Sequence, residues 1–233
     1  MKNSTKPVTI CGMLGLLLVL SVGTDFAHTT KSARQLFGTE FSVAGMVCED
    51  CAKSAQQLLA KIPGVTRATV DLESEAAVVR STRDLPREEI EEALETMGFE
   101  ARFPGDVILE ALSDEEKATL DIKMASRGEA IRLAEHLAPG KVTIFDYYAD
   151  WCGPCHLLSP KLERLLLKYP YLALRTVDIV GWETEAAKQA TNEFDLPGLP
   201  YVTLYDRDGS LLGQVQGNRV EKVEEIIEKA LKR

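Results

Sequence analysis

Val142-Thr143-Ile144-Phe145-Asp146-Tyr147-Tyr148-Ala149-Asp150-Trp151-Cys152-Gly153-Pro154-Cys155 decides the reading of the C-terminal half of the chain. Its first seven residues are dense in β-branched and aromatic side chains, as a buried strand is. Beyond the Cys-x-x-Cys, Leu157, Leu158, Leu162, Leu165 and Leu166 recur at helical spacing. A cysteine at such a strand-to-helix junction meets the positive end of a helix dipole and unpaired backbone N–H groups. Both favour thiolate over thiol and lower the pKa from about 8.5 toward 7 or below. Cys152 is therefore expected to be the attacking nucleophile. Cys155, one turn into the helix, is expected to close a disulfide on the mixed-disulfide intermediate. Gly153-Pro154 keeps the turn tight, with proline in the first helical turn, where its missing N–H costs little.

Working outward, Leu172 to Ile179 reads as a strand and Thr184 to Glu193 as a helix. Tyr201 to Tyr205 and Leu211 to Gln216 read as a hairpin around Asp206-Arg207-Asp208-Gly209, and Val220 to Leu231 as a closing amphipathic helix. The segment Ala149 to Cys155, in this setting, resembles the active site of the thioredoxin family, and the resemblance spans about residues 118–233. It implies a thioredoxin fold acting on protein disulfides, with Cys152, Cys155 and the adjacent Trp151 in the catalytic motif. It also implies that Asp146 is the buried aspartate assisting proton transfer at the resolving cysteine, and that Gly198-Leu199-Pro200 is the cis-proline loop where substrate is received. His156 departs from the lysine common at this point; it reads either as a tuner of potential or partner choice, or as an exposed helix histidine. The Gly-Pro dipeptide resembles that of the reducing members, with potentials near about −270 mV. In an oxidising compartment such a protein needs a membrane electron donor to re-reduce it.

Between Thr39 and Phe103 the pattern runs strand, helix, strand, strand, helix, strand. Thr39 to Met46 alternates polar and apolar; Cys51 to Ile62 places Ala52, Ala55, Leu58, Leu59 and Ile62 on one face and ends at Pro63-Gly64. Val65 to Leu72 and Ala76 to Arg80 read as strands. Pro86 opens a second helix carrying Ile90, Leu94 and Met97, closed by Gly98. This order makes a small ferredoxin-like βαββαβ sandwich. Gly45-Met46-Val47-Cys48-Glu49-Asp50-Cys51 closes a strand and opens a helix, and two thiolates so spaced can reach one soft ion. Residues 39–104 resemble the heavy-metal-associated domains. The resemblance implies metal binding at Cys48 and Cys51, with Met46 anchoring the loop and Phe99 either near the metal loop or ordinary core. Cu(I) is favoured, with Hg(II) and Zn(II) as alternatives. Glu49-Asp50 departs from the small or neutral residues usual between the ligands: two carboxylates disfavour thiolates yet attract cations, and could complete a Zn(II) site.

Met1 to Lys6 carries two lysines and no acid before an apolar run from Val8 to Val22. That is the pattern of an export signal, somewhat short of the about 20 residues of a comfortable membrane span. Residues 1–23 are accordingly read as a signal peptide or N-terminal anchor, 24–38 as a tether and 105–117 as a linker, with an extracytoplasmic location. Cys11 falls in the apolar run, leaving two Cys-x-x-Cys pairs, each in its own local context, so a shared four-thiolate zinc site is disfavoured. The 233 residues carry a formal charge of −9, which repels phosphate backbones, and the aromatic residues do not interleave with basic clusters. Nucleic-acid binding is not expected, and no motif for an organic cofactor is present. The fold class expected is α/β and α+β: a thioredoxin fold preceded by a ferredoxin-like domain.

The function expected is an exported thiol–disulfide oxidoreductase, in the reducing direction, coupled to a soft-metal-binding domain. The alternative is a metal chaperone or scavenger in which the second domain docks partners or binds metal itself. An oxidase or isomerase role is disfavoured by Gly-Pro.

Overall fold

The computed structural model describes residues 36–232. The expected signal or anchor at 1–23 and most of the tether lie outside them. Among the described residues no helix is long and apolar enough to cross a membrane.

The first domain runs β1 (Phe37–Ala44), α1 (Glu49–Ala60), β2 (Val65–Val70), β3 (Ala76–Ser81), α2 (Arg87–Glu95) and β4 (Glu100–Arg102), the expected βαββαβ order. Its sheet has the order β2-β3-β1-β4, every neighbouring pair antiparallel. The period-2 pattern of β1 and the period-3.6 pattern of α1 and α2 meet in one core containing Val43, Ala55, Leu59, Val79, Ile90 and Leu94, all essentially without solvent exposure. Two details correct the sequence reading. Phe37 and Gly38, placed in the tether, are the first residues of β1 and pair opposite Ser81 and Arg80; neither carries an alternation signal of its own. Met97, placed on the apolar face of the second helix, lies past that helix's last residue, Glu95, and is about half exposed.

Between the domains the expected linker holds a short helix, α3 (Asp114–Ala118), started by a capping box in which Ser113 and Glu116 satisfy each other's backbone N–H groups. The second domain follows with β5 (Ile122–Arg127), α4 (Leu133–His136), β6 (Val142–Tyr148), α5 (Gly153–Lys168), β7 (Leu172–Asp178), α6 (Glu185–Glu193), β8 (Tyr201–Tyr205), β9 (Leu211–Gln216) and α7 (Val220–Leu231). Sheet order is β5-β7-β6-β8-β9, with β6 parallel to β7 and antiparallel to β8. β5 is an element the sequence reading did not assign: Ile122-Lys123-Met124-Ala125-Ser126-Arg127 lacks a clean alternation, and as a sheet edge it buries only Ser126.

Central β6 sends alternate side chains into two cores. Phe145 and Tyr147 pack with Ile179, Ala187 and Ala190, whereas Val142 and Ile144 pack with Leu158, Leu162 and Ile227 beneath α5 and α7. Pro160 lies within α5 and removes one backbone donor there without ending the helix.

Both tryptophans, Trp151 and Trp182, belong to the second domain, whereas the first has a separate core. Ile90→Ala should therefore destabilise the first domain by about 2–5 kcal/mol. In urea titrations this should shift an early far-ultraviolet circular dichroism transition while tryptophan fluorescence keeps its wild-type midpoint.

Candidate active site and metal loop

Cys152 is the N-cap of α5 and Cys155 sits one turn in; the two form a disulfide. Cys152 Sγ accepts a hydrogen bond from Cys155 N at 3.3 Å, so the sulfur faces the free N–H groups of the helix start. No acidic residue occupies the first turn of α5 to compete for them. Both cysteines are buried, Cys152 at 5% exposure and Cys155 at 1%. Trp151 is about half exposed; its ring N–H donates to Val180 O at 2.7 Å, and its ring lies 6.1 Å from that of Trp182. The Leu199-Pro200 bond is cis, as the family resemblance implied, and Pro200 leads into β8.

Asp146 shares the face of β6 with Ile144 and points under α5, where it has no solvent exposure. Ser159 donates its hydroxyl to Asp146 Oδ2 at 2.9 Å and also reaches Cys155 O at 3.2 Å. Among the described residues Asp146 Oδ1 has no hydrogen-bond partner. Burial, aided by the nearby charge of Glu163, outweighs the Ser159 hydrogen bond and pushes the carboxyl up to about 7. A buried acid poised there accepts and returns a proton near neutral pH. Ser159 was missed in the sequence reading. Its spacing of four from Cys155, which puts both on one helical face, was the available signal.

His156 is exposed at the helix start, and its Nε2 lies 2.9 Å from Asp150 O. Asp150 in turn pairs with Arg127 at 3.2 Å.

The metal loop repeats the same local design. Cys48 is the N-cap of α1, and its Sγ accepts from Cys51 N at 3.3 Å. Both cysteines are free, with their Sγ atoms 2.6 Å apart, Cys48 exposed and Cys51 half-buried. The hydrogen bond from Cys51 lowers the Cys48 thiol, while burial and that shared hydrogen bond raise Cys51. A single thiolate is therefore favoured within the pair, and a soft cation suits two such sulfurs. Met46 is buried beneath the loop and Phe99 is core. Asp50 turns to Lys53 at 3.0 Å. Among the described residues no group of three or more histidine, cysteine, aspartate or glutamate side chains gathers as a metal site.

The two sites meet. The carbonyl of Gly45 lies against Gly153 so closely that a β-carbon at 153 would collide with it, and Val47 Cγ1 would stand 3.0 Å from that β-carbon. A β-carbon at Gly98 would come within 2.8 Å of Pro154 and 4.0 Å of Pro200.

A buried disulfide at a helix start, a buried acid behind it and a cis-proline beside it define a thiol–disulfide oxidoreductase of thioredoxin fold, here preceded by a metal-binding domain. The heavy-metal-associated domain model matches residues 40–100, and the thioredoxin model matches residues 132–229. Thioredoxin-like protein HCF164 of Arabidopsis thaliana chloroplasts is 30% identical over 50% of this chain, which spans 45% of that protein. Thioredoxin of Chlamydia muridarum is 34% identical over 33% of this chain and 68% of its own length. The chain belongs to the thioredoxin family. A solution structure of copper CopA from Bacillus subtilis is similar to the first domain, at 28% identity over 31% of this chain and 97% of that one, with a TM-score of 0.29.

The raised acid ties stability to pH. An unfolded aspartate ionises near pH 3.9 and the folded Asp146 near 7, so its contribution is fully present below about 4, is lost as pH rises to 7, and is flat above. Asp146→Asn removes this dependence. Urea unfolding should show the variant matching wild type at pH 4 and exceeding it at pH 8, by up to about 4 kcal/mol.

Proposed function

We propose that this protein is an exported thiol–disulfide reductase that serves metal handling: Cys152 and Cys155 carry electrons to cysteines that must stay reduced to bind metal, and the first domain holds a soft ion at Cys48 and Cys51. The observation that carries this reading is that one chain sets two Cys-x-x-Cys pairs, each with its first cysteine capping a helix start. Cu(I) is the ion favoured, because two thiolates suffice for it. The extracytoplasmic location rests on the basic and apolar character of residues 1–22.

In the reducing direction the Cys152 thiolate attacks one sulfur of a substrate disulfide. That S–S bond breaks, a mixed disulfide forms, and the other substrate sulfur leaves as thiolate and takes a proton. Asp146 accepts the proton of the Cys155 thiol, directly or through intervening solvent, with Ser159 holding the carboxylate in place. Cys155 then attacks Cys152 Sγ, re-forming the internal disulfide and releasing the substrate dithiol. The second substrate sulfur takes its proton on release, so two electrons and two protons pass. A dithiol donor, proposed to lie in the membrane, returns the pair to the reduced state. When bound, the metal would sit between Cys48 and Cys51 as cargo, its charge held by the thiolate that the Cys51 hydrogen bond favours.

The purified chain should reduce insulin disulfides in the presence of dithiothreitol. Cys152→Ser should abolish this activity, and Cys155→Ser should trap a mixed disulfide visible by mass spectrometry. Reduced protein should bind one Cu(I) in competition with a chromogenic chelator, and Cys48→Ser should weaken that binding at least about tenfold. Tight metal binding with no disulfide exchange in the wild type would favour the chaperone or scavenger reading instead.

A further inference from the structure

The nucleophile of a reductase has to be reached by its substrate, yet Cys152 is only 5% exposed. What covers the turn is the first domain. Gly45, with φ +92°, presents its carbonyl to Gly153, and Gly98, with φ +77°, brings its backbone against Pro154 and toward Pro200. Both approaches need a residue without a side chain: a β-carbon at Gly45 would stand 2.9 Å from Leu157 of α5, and one at Gly98 would stand 2.8 Å from Pro154. The loop seated on the active-site turn is the metal loop itself. Val47 packs at Gly153, and each of the two adjoins a reactive cysteine, Val47 preceding Cys48 and Gly153 following Cys152.

Charge complementarity holds the seam. Lys161 of α5 pairs with Glu100 at 2.6 Å, and Arg219 at the start of α7 pairs with Glu95 of α2 at 2.6 Å. The linker is drawn along the same helix, where Lys117 pairs with Glu163 at 3.0 Å and Arg164 donates to Glu110 O. The seam is not packed shut: a cleft of about 650 Å³ opens beside it between Phe99, Glu100, His156 and Lys161. Ion pairs at such partly exposed positions are individually weak, so the contact suits a reversible dock rather than a fixed interface.

We infer that the substrate face of the oxidoreductase domain is built to receive this chain's own metal loop, so that Cys48–Cys51 is its internal disulfide substrate and the docked loop competes with outside substrates. The inference rests on the reductase reading above and names the substrate of that site. When Cys48–Cys51 is oxidised, the Cys152 thiolate attacks Cys48, the exposed sulfur of the pair. The Cys48–Cys51 bond breaks, a Cys152–Cys48 bond forms, and Cys51 leaves and is protonated. Cys155, losing its proton to Asp146, then attacks Cys152, re-forming Cys152–Cys155 and releasing Cys48. Two electrons pass inward to the metal pair, and the donor that re-reduces Cys152–Cys155 is an external dithiol. Tethering puts the pair at an effective concentration in the mM range, beyond that of dilute external disulfides.

The test uses the full chain, wild type, the charge-reversed Glu95→Lys/Glu100→Lys variant, and a fourfold variant adding Lys161→Glu and Arg219→Glu to restore both pairs with opposite sign. Fully oxidised protein receives one equivalent of dithiothreitol, and quenched samples are alkylated and mapped by mass spectrometry. Separate runs measure iodoacetamide labelling of reduced Cys152 and reduction of insulin. In wild type, once dithiothreitol has reduced Cys152–Cys155, the onward passage of electrons to Cys48–Cys51 is expected to proceed at a rate independent of protein concentration. The charge-reversed variant is expected to fill that pair at least about tenfold more slowly and to label Cys152 and reduce insulin correspondingly faster, because like charges now face each other. The fourfold variant is expected to restore all three values. Equal rates in all three proteins, with insulin still reduced, overturn the docking and leave the reductase reading standing. Onward transfer from reduced Cys152–Cys155 to Cys48–Cys51 that scales with protein concentration in wild type also overturns it. No reduction of insulin by any of the three, the undocked variant included, overturns the reductase reading itself.

Discussion

β6 runs through the middle of the second sheet with a carboxyl group enclosed in it, and the arrangement around Cys152 depends on how that group is accommodated. Its neighbours β7 and β8 satisfy the strand's backbone on both edges, and α5 covers the face on which Asp146 lies. An isolated buried carboxylate is expensive, so the group holds a proton until near pH 7, and one hydroxyl, from Ser159, is its only hydrogen-bond partner among the described residues. That destabilising feature is tolerated because the same strand ends four residues before a cysteine. The geometry that buries the acid also sets a helix start, and with it the nucleophile, at a fixed place above it.

The two cysteine pairs are one local design used for different ends. In each, the first cysteine caps a helix and its sulfur accepts the N–H of the second, so both loops stabilise sulfur in its anionic form. What differs is the filling between the cysteines and the burial around them. Gly153-Pro154 is small and neutral, lets another backbone approach to contact, and belongs to a pair almost without exposure. Glu49-Asp50 is long, charged and solvated, and leaves Cys48 open. Asp50 opposes the Cys48 thiolate electrostatically, and the hydrogen bonds from Cys51 outweigh this, whereas burial raises Cys51. A bound cation compensates that opposition, whereas an exposed dithiol without one is open to oxidation.

Much of this was legible in residue order. Periodicity placed both helices of the first domain and the hairpin Tyr201–Tyr205/Leu211–Gln216, because one-sided burial leaves a strong pattern. β5 escaped because an edge strand half in solvent has little pattern to leave, and α3 because five residues are fewer than two helical turns. The cysteine pairs declared themselves by spacing, whereas Ser159 did not: its partner Asp146 lies thirteen positions earlier on another element, and only the packing of α5 on β6 joins them. The cis state of Leu199-Pro200 came from family resemblance and not from any local rule, since cis is the minority state for X–Pro bonds.

Least legible was the meeting of the two domains. Gly45, Gly98 and Gly153 each have a sufficient local explanation, as a loop residue, a helix stop and part of a tight turn, and no one-dimensional pattern shows that all three are also points where one domain touches the other. Glu95, Glu100, Lys161 and Arg219 likewise read as ordinary charges on solvated faces until the fold pairs them. An acidic chain with a net charge of −9 would be expected to repel itself across any seam between its parts. Here basic residues of α5 and the α7 start are set against acidic residues of α2 and β4, so the local charge pattern opposes the global one. Glycines at the points of contact and opposite charges around them are two independent features at the same seam. Together they make the placement of the metal loop on the active-site turn a specified contact, and they place Cys48 and Cys152 each one residue from it.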